Sequence, residues 1–189
     1  PCSPLFAHPA RYDPRLRPTL FGGVSATRSL HMTWLTLFII ASSVLSGLVG
    51  GVFFAFSVFV MRALAQLPAP QGLAAMQRIN VTVITPLFLG AFLGALPVLA
   101  VSAYLAHAAN RTQAFVLLGI ATLVYALGSV VVTVLFNVPR NDRLAACPAD
   151  TPQAADYWRT YLREWSRWNH VRCVASLLAT VLAVLSASC

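Results

Sequence analysis

Four long stretches of this chain carry no carboxylate, lysine or arginine, and their length dictates the solvent in which it folds. No Asp, Glu, Lys or Arg occurs from Ser29 to Met61, from Ile79 to Asn110, from Thr112 to Pro139, or from Cys173 to Cys189. A helix needs about 20 apolar residues to cross the hydrocarbon of a bilayer. The first three gaps meet that length, and the fourth meets it once the apolar face upstream of Cys173 is added. With 58% hydrophobic and 10% charged residues, the chain holds more apolar surface than a soluble core of this size can hide. The apolar runs are continuous rather than alternating, which argues for helices over strands. The expected fold is all-α, an integral membrane four-helix bundle running up-down-up-down, with spans near 33–64, 71–107, 112–137 and 152–187. The membrane expected for it is the bacterial cytoplasmic membrane.

Stop and start signals separate the spans. Leu67-Pro68-Ala69-Pro70 closes the first helix and opens the second, because proline is tolerated at a helix start and not inside. The short Asn110-Arg111-Thr112 connection makes helices two and three antiparallel neighbours. Val138-Pro139 is read as the end of helix three, and Thr151-Pro152 as an N-cap followed by proline at the first helical position. Irregular structure is expected only from about Arg140 to Asp150. Pro86 and Pro97 predict kinks in the second span. Residues 1–31 are rich in proline and arginine without amphipathic period and are expected to be disordered, with Met32 as the natural start of a transmembrane domain over 32–189.

The net charge of +8 comes from thirteen arginines and no lysine. Six arginines lie between Arg140 and Arg172 and two between Arg62 and Arg78, flanking spans rather than forming a nucleic-acid stripe. No nucleic-acid partner is expected. Under the positive-inside rule these arginine-rich connections belong in the cytoplasm. Cys2, Cys147, Cys173 and Cys189 have no paired spacing, so neither a disulfide framework nor a metal site is expected. Ser43, Gly47, Gly51 and Ala55 recur every four residues, as do Gly90 and Gly94; such rows let helix backbones approach closely. Internal packing and a homodimer seam both fit that pattern.

Polar residues collect at one end of the bundle. Arg62 ends helix one, Arg78 and Asn80 begin helix two, Asn137, Arg140 and Asn141 end helix three, and Trp165, Asn169 and Arg172 open the spanning part of helix four. The opposite end has Asn110 and Arg111, with His107 nearby. At about 100° per residue, Trp158, Tyr161, Leu162, Trp165, Trp168, Asn169 and Arg172 share one face of helix four. Asp156, Arg159, Arg163, Arg167 and His170 share the other. An aromatic belt at the membrane interface would look like this. Asn169 and Arg172 on the aromatic face argue instead for a site, because polar groups turned into a bundle need partners.

Several segments together resemble the anthrone oxygenase family of small integral membrane proteins. They are Gly51-Val-Phe-Phe-Ala-Phe-Ser-Val-Phe-Val-Met-Arg62, Met76-Gln-Arg-Ile-Asn80 with Pro86-Leu-Phe88, Phe136-Asn-Val-Pro-Arg-Asn141 and Trp165-Ser-Arg-Trp-Asn-His-Val-Arg172. The likeness runs over about residues 33–187. It implies a four-helix membrane protein and, for characterised members, oxidation of a tricyclic anthrone to an anthraquinone with dioxygen and no established cofactor.

Such a reaction removes a proton beside a ring carbonyl and needs a permanent cation for the resulting oxyanion and flat apolar walls for the polycycle. Arg172, Arg140, Asn137, Asn141 and Asn169 are the candidate donors, and Trp165, Trp168 and Trp158 the candidate walls, with Asn80 and Phe56 from the matching segments as further substrate contacts. His170 is the obvious base by residue type, yet its helical face suits a surface residue. The expected partners are a hydrophobic small molecule, dioxygen and the bilayer, with no cofactor. A non-catalytic membrane scaffold is the alternative. Placement of His107 and His170 at opposite bilayer faces argues against a bis-histidine haem, and the lack of internal repeats against a transporter.

Overall fold

The computed structural model describes the backbone of residues 18–148 and 150–189, and side chains from Met32 onward except at positions 149 and 152. The expectation of disorder over 1–31 concerns a segment whose residues 1–17 lie outside the described residues. Helices are α1 (Pro18–Ala55), α2 (Met61–Ala65), α3 (Ala69–Thr82), α4 (Pro86–Ala108), α5 (Thr112–Tyr125), α6 (Val138–Ala145) and α7 (Pro152–Ser186). Wider π-helical turns at Phe56–Val60, Ala126–Val131 and Thr133–Asn137 join α1 to α2 and α5 to α6 without a break. Among the described residues there is no strand. Four spans are long and apolar enough to cross a membrane: Met32–Ala65, Pro86–Ala108, Thr112–Ala145 and Gln153–Ser186. The first packs on the second and fourth, and the third on the same two, which closes a four-helix ring.

Span lengths divide the molecule into two layers. Three spans have 34 residues, roughly 51 Å at 1.5 Å per residue, against a hydrocarbon core of about 30 Å. At one end Arg111 ties the span ends level, with Nε donating to the Cys189 carbonyl at 2.6 Å and Nη1 to Met32 Sδ at 3.7 Å. About 20 residues from that level, one hydrocarbon thickness along each helix, lie Val52, Phe88, Val132 and Asn169. Beyond them the first, third and fourth spans continue as a cap, and α3 takes the place of the shorter second span.

The second span is not the continuous helix over 71–107 expected from sequence. The chain breaks at Val83–Thr85 because Thr85 adopts an extended conformation and its side chain accepts from the Phe88 backbone at 3.2 Å, with Pro86 in the first turn of α4. Pro97 sits inside α4, which stays helical around it. Pro139 does not end the third span either; helix persists to Ala145, and the irregular stretch shrinks to the residues between α6 and α7. The preceding π turn shifts the hydrogen-bond register, and the Phe136 carbonyl accepts from Arg140 Nη1 at 2.7 Å. The other signals act as read. Thr151 caps α7 by accepting from Ala154 N at 3.2 Å, and Asn110 closes α4 at φ 57°, a left-handed conformation that asparagine tolerates.

Close helix contacts fall one residue away from the expected row. A β-carbon at Gly50 would lie 2.9 Å from Leu177 Cδ2, and one at Gly128 would collide with Ala175 Cβ. Gly51, Gly90 and Gly94 face open space, and Gly47 makes only an ordinary contact with Thr180. The buried face of the first span runs through Ile39, Ser42, Ser46, Val49 and Phe53, a phase that turns Gly51 outward.

Candidate active site

A cavity of about 240 Å³ lies where the hydrocarbon layer meets the cap. Phe53, Phe56, Phe88, Phe92 and Trp165 give it aromatic walls, and Met76 and Ile79 of α3 cover it from the cap side. Its polar groups are Asn80, Thr133, Asn141 and Arg172. The break between α3 and α4 opens one side, for Val83 and Ile84 line the cavity while Ile84 is 65% exposed.

Two of the π turns position this lining. Adding a residue per turn widens a helix and changes which side chains face inward, and such turns recur at functional sites. Phe56 opens the turn in the first span, and its ring lies 5.5 Å from that of Trp165. Thr133 and Asn137 begin and end the turn in the third, and both face the fourth span.

Arg172 is the centre of the arrangement. It is only 5% exposed, with Nη1 donating to Thr133 Oγ1 at 3.2 Å and Nη2 to Asn169 Oδ1 at 2.8 Å. Its guanidinium lies 4.2 Å from the Phe53 ring centroid and 5.0 Å from that of Trp165. Asn169, fully buried, donates through Nδ2 to the Phe53 carbonyl and to Ser57 Oγ, each at 2.8 Å. That leaves the Asn169 oxygen turned toward the arginine. With its amide oriented so that oxygen meets donors, Asn137 accepts from Trp165 Nε1 at 3.2 Å and Arg172 Nη2 at 3.3 Å. No carboxylate pairs with Arg172 among the described residues; the two ion pairs there are Arg140–Glu164 and Arg159–Asp156. Burying a charge without a counter-ion is costly, so neutral acceptors and π faces hold this cation.

A second set of bonds fixes the mouth. Asn141 Oδ1 accepts from Tyr161 Oη and from Trp165 Nε1, both at 2.8 Å, and Asn80 Nδ2 reaches Tyr161 Oη at 3.5 Å. Asn141 thereby spends its oxygen on the protein. Its amide N–H groups have no partner among the described residues and remain available at the cavity wall.

Of the residues expected from sequence, the cavity gathers Arg172, Asn141, Trp165, Asn80 and Phe56, with Asn169 and Asn137 directly behind Arg172. Four others lie elsewhere. Arg140 is drawn to Glu164, with Nη2 at 3.0 Å from Oε2. Trp168 stacks on Phe136 with centroids 3.6 Å apart, on the flank of the bundle. Trp158 is two turns beyond Trp165 toward the cap, where it stacks on Tyr161 and presses against Gly72. His170 is exposed, one residue and about 100° from Asn169. Thr133, Tyr161, Phe53 and Met76 are the functional neighbours that sequence reasoning missed. The helical phase of Tyr161 hinted at its place, and Phe53 and Met76 lie in segments that carry the family resemblance, whereas Thr133 sits in an apolar stretch whose register the π turns reset.

Comparison with curated proteins and with solved structures gives no match. The family model described as Anthrone oxygenase matches residues 85–182, from the cap of α4 through the third span and most of the fourth, which is more than half of the chain. Those residues include Thr133, Asn137, Asn141, Trp165, Asn169 and Arg172, and the chain belongs to the anthrone oxygenase family.

Proposed function

We propose that this protein is a membrane oxygenase that takes a lipophilic, anthrone-like polycyclic ketone from the bilayer and oxidises it with dioxygen, without a cofactor. The observation that carries this reading is a buried arginine with no carboxylate partner at the wall of an aromatic cavity. A flat polycycle fits between the Phe53, Phe56, Phe88 and Trp165 rings, and its carbonyl oxygen would face Arg172 and the Asn141 amide. Loss of a proton from the ring carbon opposite the carbonyl leaves an enolate whose charge rests largely on that oxygen. A guanidinium in a water-poor site stabilises this charge far more than it would in water. No carboxylate or imidazole lines the cavity among the described residues, so the proton passes to a water molecule at the open side of the cavity, and Arg172 favours that transfer by stabilising the enolate oxygen.

The overall balance needs no further reductant. Anthrone and dioxygen give anthraquinone and water, one oxygen atom entering the ring carbonyl and the other leaving as water, so the substrate supplies all four electrons that dioxygen accepts. The opening beside Ile84 supports access from the lipid phase, where such a ketone would partition.

Membranes carrying the protein, supplied with anthrone, should form quinone faster than matched membranes without it and should consume one dioxygen per quinone. Equal rates in the two membranes would overturn the proposal.

A further inference from the structure

We propose that a second groove, between the first and fourth spans beside Arg62 and His170, binds the phosphate of an anionic phospholipid. The groove encloses about 270 Å³ on the side of Asn169 away from the cavity, with Met61 and Leu162 as apolar walls and Ser57 and Ser166 as hydroxyls. Arg62, His170 and Ser166 make no hydrogen bond or ion pair among the described residues, unlike Arg140 and Arg159, which are both paired. No acidic side chain lines the groove. It therefore presents a permanent cation, an imidazole and the Ser166 hydroxyl with no partner among the described residues.

Depth selects a lipid headgroup over other anions. One hydrocarbon thickness from the Arg111 level ends at Val52 and Asn169, so Ser166 and His170 flank that edge at the level of lipid phosphates, and Arg62, ten residues past Val52 and roughly 15 Å out along the helix, joins them from the outer side of the groove. Below the groove Phe54, Val58 and Val174 are exposed along the same two helices, an apolar track for an acyl chain. Basic pockets between spans are a recurring means of holding anionic headgroups. A zwitterionic choline lipid would bring a second cation to a groove that already holds Arg62.

The groove also adjoins the buried site. Ser57 Oγ accepts from Asn169 Nδ2, and Asn169 Oδ1 accepts from Arg172, each at 2.8 Å. A phosphate seated on Ser57 would thus be three hydrogen bonds from the guanidinium.

The test uses the purified full chain in detergent, with phosphatidylglycerol, phosphatidylcholine of the same chains, or inorganic phosphate. Retained lipid is read by native mass spectrometry and stabilisation by the melting temperature. Phosphatidylglycerol should be retained by the parent and by Arg163→Gln, and roughly fivefold more weakly by Arg62→Gln, the effect of one arginine near a headgroup. His170→Gln should weaken it as well. Melting without lipid shows whether each variant is folded, and retention is counted on the folded species. Equal retention by Arg62→Gln and Arg163→Gln would reduce the effect to general attraction by a basic surface and overturn the site. Equal stabilisation by inorganic phosphate, or equal retention of phosphatidylcholine, would overturn it too. Anthrone turnover does not enter these readings, so this proposal and the oxygenase reading can fail separately.

Discussion

The two ends of this bundle solve opposite problems with the same four helices. Toward Arg111 the core is built from Ala95, Leu99, Ala103, Ala106, Ala114, Leu118, Ala121, Ala179 and Ala183. Its polar links are short serine contacts, Ser42 to Ser102 at 2.8 Å and Ser46 to Thr180 at 2.9 Å. Small side chains let regular helices meet without a gap. Toward the cap the core is Met61, Leu73, Met76, Leu144, Trp158, Tyr161 and Trp165, and helix regularity fails there in the first, second and third spans. Bulky aromatics cannot fill four helices evenly, and the π turns and the Val83–Thr85 break leave room between them. The cavity therefore lies at the boundary between the close-packed and the irregular layer.

Arg172→Lys should break the irregular end most severely. Lysine keeps the charge and loses the planar fork that meets Thr133 and Asn169 together. Loss of one preorganised oxyanion donor lowers turnover by roughly 100-fold. Arg163→Lys, on the exposed face of the same helix, should leave quinone formation unchanged. Equal activity of Arg172→Lys, Arg163→Lys and the parent would favour a scaffold over an enzyme.

The close contacts between spans should respond to volume, including the one made by Gly128 within the Ala126–Val131 π turn. Gly128→Ala places a methyl against Ala175, which has no flexible end to move, and overpacking of this kind costs about 1–3 kcal/mol. Gly50→Ala should cost less, because the Leu177 side-chain tip at 2.9 Å can turn away, and Gly51→Ala should be near neutral, with nothing within 4 Å. Melting temperatures of the three variants in detergent give the order directly. A Gly51 variant as damaged as Gly128→Ala would reveal a contact between copies of the chain.

What the sequence made legible follows the same division. Charge-free gaps marked the cores of all four spans, since a charge facing hydrocarbon is costly, and helical phase placed Trp165, Asn169 and Arg172 on the buried face because α7 is regular. Phase counting failed wherever the count was interrupted. Pro139 reads as a stop until a π turn precedes it, and Thr133 reads as one more residue in an apolar run. The break before α4 did carry a signal, for Thr85-Pro86 repeats the capping pattern of Thr151-Pro152. The surrounding apolar residues masked it. The glycine row missed by one position because a four-residue repeat drifts about 40° per step against the helix.

Tyr161→Phe should sharpen the contrast at the mouth. The hydroxyl donates to Asn141 at 2.8 Å and accepts a long bond from Asn80 at 3.5 Å, and its loss costs about 1 kcal/mol of stability while leaving Asn141 held by Trp165 alone. A rise in KM with kcat retained would mark the mouth as a binding element. Unchanged kinetics would confine Tyr161 to packing.

Glu164→Gln should have the smallest effect, and it tests whether the cap takes part in chemistry. Arg140 has the residue type and the end of the bundle that an oxyanion donor needs, and sequence alone does not separate it from Arg172. Its guanidinium instead meets Glu164 at 3.0 Å with the two side chains 24% and 41% exposed, and it closes over the Phe136 carbonyl at 2.7 Å. A partly exposed pair of this kind contributes up to about 1 kcal/mol, so the glutamine variant should melt only slightly below the parent and oxidise substrate at the parent rate. Releasing Arg140 from its carboxylate leaves its bond to Phe136 in place and adds no cation to the cavity wall. If turnover changes strongly while the melting temperature does not, the field of Arg140 reaches the substrate, and the boundary between site and cap drawn at Asn141 lies one turn too far inside.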